Sequence, residues 1–182
     1  MEIIEYLPEY REKMEAICIA TASERARTDE NHKQFSLLMY CDEYVDRELA
    51  YMLMDGKEPV GYILCATSAE KWGEHMQPYL KKMKLISEQY YEQAKQSIEF
   101  YRSYSDRYPA HMHIDILEEY THSGNGTKLF ETLIERLKKD NIKGLMLGVS
   151  KHNARAVNFY LKMGFKIILE QEYGYTLGLS LS

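Results

Sequence analysis

Ile114-Asp115-Ile116-Leu117-Glu118-Glu119-Tyr120-Thr121-His122-Ser123-Gly124-Asn125-Gly126-Thr127 is a junction from strand to helix. On its N-terminal side, Met112, Ile114 and Ile116 alternate with His111, His113 and Asp115, which predicts a strand over His111 to Leu117. On its C-terminal side, Leu129, Phe130, Leu133, Ile134 and Leu137 recur at helical spacing. Lys138 and Lys139 fall in the last turn, where cations suit the dipole, so a helix spans Gly124 to Lys139. Gly124 and Gly126 let the backbone turn sharply and approach a ligand. The first amides of a helix lack internal partners and sit at its positive end, so this junction can hold a phosphate or pyrophosphate. A simple turn would use the same glycines. No Gly-Lys-Ser/Thr follows, so it is not a Walker loop. The third glycine of a dinucleotide fingerprint is also missing.

Downstream, Gly144 to Val149 is a buried strand, and a helix over Asn153 to Met163 is stopped by Gly164. Phe165 to Leu169 and Tyr173 to Leu179 are the last strands. The helix lies in Asn153-Ala-Arg-Ala-Val-Asn-Phe-Tyr-Leu-Lys-Met-Gly-Phe165. Here the chain resembles the GNAT acetyltransferase superfamily. That family's phosphate loop reads Gln/Arg-x-x-Gly-x-Gly/Ala, against Thr121 to Gly126 here. Its later motif reads Asn-x-x-Ala-x-x-Phe/Leu-Tyr-x-x-x-Gly-Phe, matched by Asn153, Ala156, Phe159, Tyr160, Gly164 and Phe165. The resemblance spans Met112 to Ile168 and rests on element order before residue 67. His113-Ile-Asp-Ile-Leu117, with an insertion before it, is also similar to the acetyltransferase-like domain attached to some O-GlcNAcases.

The resemblance implies acetyl-CoA as cosubstrate, an amine-bearing acceptor and direct transfer without an acyl-enzyme. It implies a gap between the fourth and fifth strands for the pantetheine arm, with Ile116 pairing to it like a strand edge. The amide of Leu117 would stabilise the oxyanion. Amides of His122, Ser123, Gly124, Asn125, Gly126 and Thr127 would hold the pyrophosphate. Asn153 would bond the pantetheine arm, Phe159 would line the site, and the Tyr160 hydroxyl would protonate the departing thiolate. Tyr160 could instead anchor its helix.

Thr121 stands where the family has Gln or Arg, and Ser123 where a cation is common. Only His122 and the more distant Lys128 remain to compensate, which predicts CoA binding about several-fold weaker. For a base or substrate anchor the candidates are Asp115 and His113, which share a strand face with His111 unless a bulge intervenes. Two other readings stay open. One is a degenerate acetyltransferase fold that binds CoA or a partner without catalysis. The other is a metal enzyme using His113-x-Asp115 with His152 or His122, although no metal is expected.

Upstream, Glu2 to Tyr6 predicts a strand. Pro8 opens a helix with Tyr10, Met14, Ile17 and Cys18 on one face. Ser23 to Gln34 is polar and reads as a loop or mobile helix. Leu37, Leu38, Cys41, Tyr44, Val45 and Leu49 predict another helix. Ala50 to Met54 and Val60 to Ala66 form a hairpin around Asp55-Gly56. From Glu70 to Arg107, Tyr79, Met83, Ile86, Tyr90, Ala94, Ile98 and Tyr101 recur every three or four residues. They predict a long helix, whole or broken, packed on the domain; its aromatics could also wall a pocket or a homodimer interface. The fold expected is α/β: one domain over residues 1–182, with a mixed sheet of six to seven strands flanked by helices. Residues 70–107 form a helical insertion between the third and fourth strands.

The 182 residues are 45% hydrophobic and 28% charged, a globular balance. A net charge of −5 is wrong for general nucleic-acid binding, and no apolar run reaches the roughly 18 residues that span a bilayer. The N-terminus lacks the pattern of a secretion signal. Cys18, Cys41 and Cys65 are odd in number and widely spaced, so buried free thiols in a reducing cytoplasm are expected. The acidic stretch Cys41 to Glu48 and the net charge favour a cationic amine.

Overall fold

The chain begins with β1 (Glu2–Glu5) and a single 3-10 turn at Pro8–Tyr10. The helices α1 (Arg11–Thr21), α2 (Glu24–Thr28), α3 (Glu30–Leu37) and α4 (Glu43–Arg47) follow. The hairpin β2 (Leu49–Asp55) and β3 (Glu58–Ala66) comes next, then α5 (Ala69–His75), α6 (Gln77–Ile86) and α7 (Glu88–Ser103). The remainder is β4 (Ala110–Ile116), α8 (Asn125–Lys139), β5 (Gly144–Ser150), α9 (Ala154–Lys162), β6 (Lys166–Glu170) and β7 (Gly174–Ser180). This computed structural model describes residues 1–121 and 123–181. The strands form one sheet in the order β1-β2-β3-β4-β5-β7-β6, in which only β4 and β5 run parallel.

Strand alternation sorts the core onto two faces. Met52, Met54, Tyr62 and Leu64 point to one side, where they pack with Met14 and Ile17 of α1, Phe35 of α3 and Trp72 of α5. Leu53, Ile63, Cys65 and Met112 point to the other, against Leu129, Phe130, Leu133 and Leu137 of α8. The amphipathic spacing of α8 is thus matched to the face of the sheet it covers. The hairpin turns at Gly56, whose φ of +60° suits glycine. The three cysteines are free and buried. Among the described residues no helix is long and apolar enough to cross a membrane.

One stretch differs from the sequence expectation, and two that it left open are resolved. The polar run from Ser23 is not a loop but two short helices, each with its own cap. Ser23 Oγ accepts from the Ala26 N–H, and Asp29 Oδ1 accepts from the His32 N–H at 3.1 Å. Leu37 to Leu49 is not one helix. A π-helical turn at Leu38–Asp42 joins α3 to α4, and Leu49 already belongs to β2. The insertion is three helices, broken at Met76 and Ser87, with Pro78 in the first turn of α6. It packs on the N-terminal helices through Tyr79, Met83, Tyr90, Ala94 and Ile98.

The insertion is also tied by polar contacts: the Tyr79 hydroxyl donates to Asp46, His32 bonds the Tyr90 hydroxyl, and His75 joins a carboxylate pair. Ligand-type atoms of Glu43, Glu48 and His75 lie within 4.8 Å of one another. His75 Nδ1 is 2.8 Å from Glu48 Oε1 and 3.6 Å from Glu43 Oε1. Glu43 is fully buried, and burial first, then the charge of Glu48, pushes its carboxyl up to about 8.

Candidate active site

β4 lies in unbroken antiparallel register with β3, from Gly61 opposite Ile116 to Ala66 opposite His111. Against β5 it pairs only through Ala110 and His111. Beyond His111 the two parallel strands part, leaving the C-terminal half of β4 with one open edge. A cleft of 610 Å³ begins there. It is lined by Ile114, Asp115, Ile116 and Leu117 from β4 and its end, by Thr121, Gly124, Gly126 and Thr127 at the start of α8, and by Asn153, Phe159 and Tyr160 at α9.

The floor of the cleft has free donors. Gly124 takes a φ of +74°, and the first backbone bond of α8 runs from the Lys128 N–H to the Gly124 carbonyl. The N–H groups of Asn125, Gly126 and Thr127 precede that bond, and among the described residues no side chain caps them. A Cβ on Gly126 would sit 3.4 Å from the Phe159 ring, so α8 and α9 approach closely here. Asn153 caps α9 by accepting from the Ala156 N–H at 3.1 Å, which leaves its amide NH₂ to the cleft.

Most of the predicted residues meet in this cleft; Leu117, Asn125 and Ser123 depart from expectation, and His113 lines a neighbouring cavity instead. The Leu117 N–H donates to the Val60 carbonyl at 2.9 Å, so it is not available as an oxyanion donor. The ladder alternates, and the main-chain groups that face the open edge are those of Ile114 and Ile116. Asn125 is buried, and its Nδ2 donates to the Tyr120 carbonyl at 2.9 Å, which staples the loop; only its N–H serves the helix terminus. Ser123 is exposed and does not line the cleft, and His122 lies outside the described residues. Lys128 does not line it either. The positive charge comes from elsewhere: Arg155 of α9 reaches Thr121 Oγ1 at 3.4 Å, and Arg27 of α2 lines the opposite wall. Arg155 stood inside the quoted motif, but nothing local says that it leans on a loop 34 residues away.

No bulge interrupts β4, so His111, His113 and Asp115 share a face as expected. Their surroundings differ. His111 is fully buried, stacked on Tyr101 at 3.9 Å and edge-on to Trp72 at 4.5 Å, and it stays neutral because burial lowers its pKa. His113 bonds the Tyr44 hydroxyl at 3.1 Å, and burial lowers it to about 4. It is a weak base. Asp115 Oδ2 accepts from the Tyr62 hydroxyl at 2.7 Å. Burial raises its pKa, while Tyr62 and Thr21 pull it down. Neither His113 nor Asp115 is gathered with His152; among the described residues the ligand cluster is Glu43, Glu48 and His75.

Asp115 also borders a second cavity, of 340 Å³, lined by His32, Phe35, Tyr40, Gln93 and His113 among others. The two cavities meet at Thr21, Ala22 and Asp115. Tyr160 faces the first cavity. Burial, with a contribution from the charge of Asp115, raises its pKa, so the phenol stays protonated.

A sequence model of the Acetyltransferase (GNAT) family matches residues 18–165. Among solved structures, one described as SsHAT superposes with a TM-score of 0.85 at 22% identity, covering 100% of this chain and 98% of that one. The PaiA N-acetyltransferase from Thermoplasma acidophilum, in complex with coenzyme A, gives 0.60 at 15% identity, with 98% of each chain covered. The ribosomal-protein-S18-alanine N-acetyltransferase from Escherichia coli gives 0.58 at 15% identity, over 100% of this chain and 94% of that one. At these identities the structural likenesses establish the fold.

Proposed function

The chain belongs to the GNAT acetyltransferase family, and from that premise we propose that it moves the acetyl group of acetyl-CoA directly to an amine. One observation carries this: the open edge of β4, the uncapped start of α8 and the Tyr160 hydroxyl border a single cleft. The pyrophosphate sits on the amides of Asn125, Gly126 and Thr127, with Arg155 and Arg27 supplying the charge that Thr121 and Ser123 do not. The pantetheine arm extends β4 along Ile114 and Ile116, with Asn153 as a further donor. The Ile116 N–H replaces that of Leu117 as the donor toward the thioester oxygen.

Asp115 is the group placed to take a proton from the incoming ammonium. The freed nitrogen lone pair attacks the thioester carbon, a C–N bond forms and the C–S bond breaks. Tyr160 donates a hydrogen bond to the sulfur as it leaves. The attacking nitrogen's second proton ends on that sulfur, so the products are an amide and a thiol, and Asp115 returns its proton to water. Its raised pKa makes Tyr160 a donor to the developing thiolate more than a source of a fully transferred proton.

A thermal-shift titration with acetyl-CoA, CoA and NADH tests the reading. At a hundredfold excess over Kd, acetyl-CoA should stabilise by about 2.7 kcal/mol, which is roughly 5–10 °C in Tm for a chain of this size. Stabilisation by NADH alone, or by none of the three, would overturn it.

A further inference from the structure

The second cavity has chemistry of its own. Its volume, 340 Å³, is at the low end for small-molecule sites, roughly 300–1,000 Å³. Among the described residues Asp115 is the one carboxylate that lines it, and neither Lys nor Arg does. Rings form much of its wall. Phe35 stacks on Tyr90 at 4.4 Å, Tyr40 meets His113 edge-on at 5.3 Å, and His32 bonds the Tyr90 hydroxyl at 3.1 Å. Tyr40 belongs to the π-helical turn between α3 and α4, and Gln93 comes from α7 of the insertion. The insertion therefore backs the Phe35 wall and supplies part of the rim.

Resting on the acetyl-transfer reading, we propose that this cavity seats the acceptor, and that the acceptor is a small primary amine with one positive charge and a flat, apolar body. The ammonium group pairs with Asp115 at the point where the two cavities meet, which puts its nitrogen toward the thioester. The ring lies against Phe35, Tyr40 and His32. The lining argues against the alternatives. A polyamine would carry a second ammonium into a cavity with no second carboxylate. An α-amino acid would bring a carboxylate beside Asp115, which repels it, into a cavity that no Lys or Arg lines among the described residues. A peptide chain needs an extended groove with main-chain partners, not a pocket closed by helices.

The test measures CoA release with phenethylamine, tyramine, butylamine, spermidine, glycine and an alanyl tripeptide, alongside calorimetric binding of phenethylamine and of uncharged 2-phenylethanol. Phenethylamine or tyramine should exceed spermidine, glycine and the peptide by at least 10-fold in kcat/KM. Asp115→Asn keeps an acceptor for the Tyr62 hydroxyl. It should weaken phenethylamine binding by 10-fold or more and leave 2-phenylethanol within 2-fold. Tyr40→Leu keeps the bulk but removes a ring, and should cost phenethylamine about 3- to 10-fold while sparing butylamine. If acetyl-CoA stabilises the protein but spermidine, glycine or the peptide is the preferred acceptor, the pocket assignment falls and the transferase reading stands. Equal loss of 2-phenylethanol and phenethylamine in Asp115→Asn also overturns it. If acetyl-CoA does not bind and no amine releases CoA, the transferase reading itself has failed.

Discussion

Tyr160→Phe separates a reacting hydroxyl from a structural one, because the two roles move different observables. Tyr160 is buried, with its ring edge-on to Phe159 at 5.4 Å and to Phe165 at 5.7 Å. Both contacts survive in phenylalanine. Among the described residues no hydrogen bond to its hydroxyl is found, and the group borders the cleft. An anchoring hydroxyl would cost about 1 kcal/mol on removal. With no bond to lose, the expected change in stability is within about 0.5 kcal/mol, or roughly 2 °C in Tm. Acetyl-CoA affinity should change less than about 2-fold, since the proposed bond strengthens only as sulfur gains charge.

The chemical step carries the loss. A positioned proton donor contributes about 10²- to 10⁴-fold. A thiolate leaves readily, and a phenol with a raised pKa gives a hydrogen bond and not a whole proton, so about 10- to 100-fold is expected, at or below the lower bound of that range. Single-turnover acetylation of the best amine, followed by quench, isolates this step. The loss should appear equally in kcat and kcat/KM where chemistry limits. Unchanged single-turnover rates would leave Tyr160 a packing residue. A melting temperature lowered by about 3–4 °C with the rate intact would make it an anchor after all.

Arg155→Ala should weaken acetyl-CoA about 2- to 5-fold at low salt, with the difference shrinking at 300 mM salt; calorimetry reads this, and Arg155→Lys should recover part of it. Gly61→Ala places a Cβ 2.9 Å from Ile116 Cγ1 and 3.0 Å from the Asp115 carbonyl, on the stretch of β4 that borders the cleft. It should destabilise by about 1–3 kcal/mol in denaturant melts and raise KM for both substrates, whereas Gly148→Ala, where nothing lies within 4 Å, should do neither. Glu43 has a pKa of about 8 in the fold against 4.5 unfolded, so between these values the native state holds a proton that the unfolded chain has lost. Stability should therefore fall as pH rises from 4.5 to 8 and level off above, by at most about 5 kcal/mol; Glu43→Gln should flatten that slope in pH-dependent urea melts.

The cofactor side of this molecule was legible because its devices are local. Gly124 supplies the positive φ at the start of α8, Asn153 caps α9, and β4 alternates as its residue types demand. Each lies within a few residues of the feature it makes. The failures were of two other kinds. Leu117 was given a free amide because a sequence carries alternation of side chains but not the phase of the hydrogen-bond ladder; register against Val60 sets that phase, and Val60 lies 57 positions away. The charge of the phosphate site was sought beside the glycines. The cations that line the cleft are instead Arg155 and Arg27, brought there by the packing of α9 and α2. The run from Ser23, read as a loop or mobile helix, stayed undecided because its apolar faces are thin, although Ser23 and Asp29 were both available as caps.

Under the proposed assignment, the alternation of β4 also explains how one strand would serve two substrates. Its main-chain groups at Ile114 and Ile116 face the gap to β5, and its side chains at His113 and Asp115 face the second cavity. The first set is insensitive to residue type, because any amino acid offers the same amide and carbonyl. The second depends wholly on residue type. A fold arranged this way can keep its cofactor while its acceptor changes, provided that β4 keeps its register with β3. The insertion acts only on the variable side. It backs Phe35 through Tyr90 and reaches the rim through Gln93, and among the described residues none of its own lines the first cleft. Shortening α7 should therefore alter which amines are accepted before it alters how acetyl-CoA is held. The opposite order of effects would mean that the two cavities do not divide the substrates as proposed.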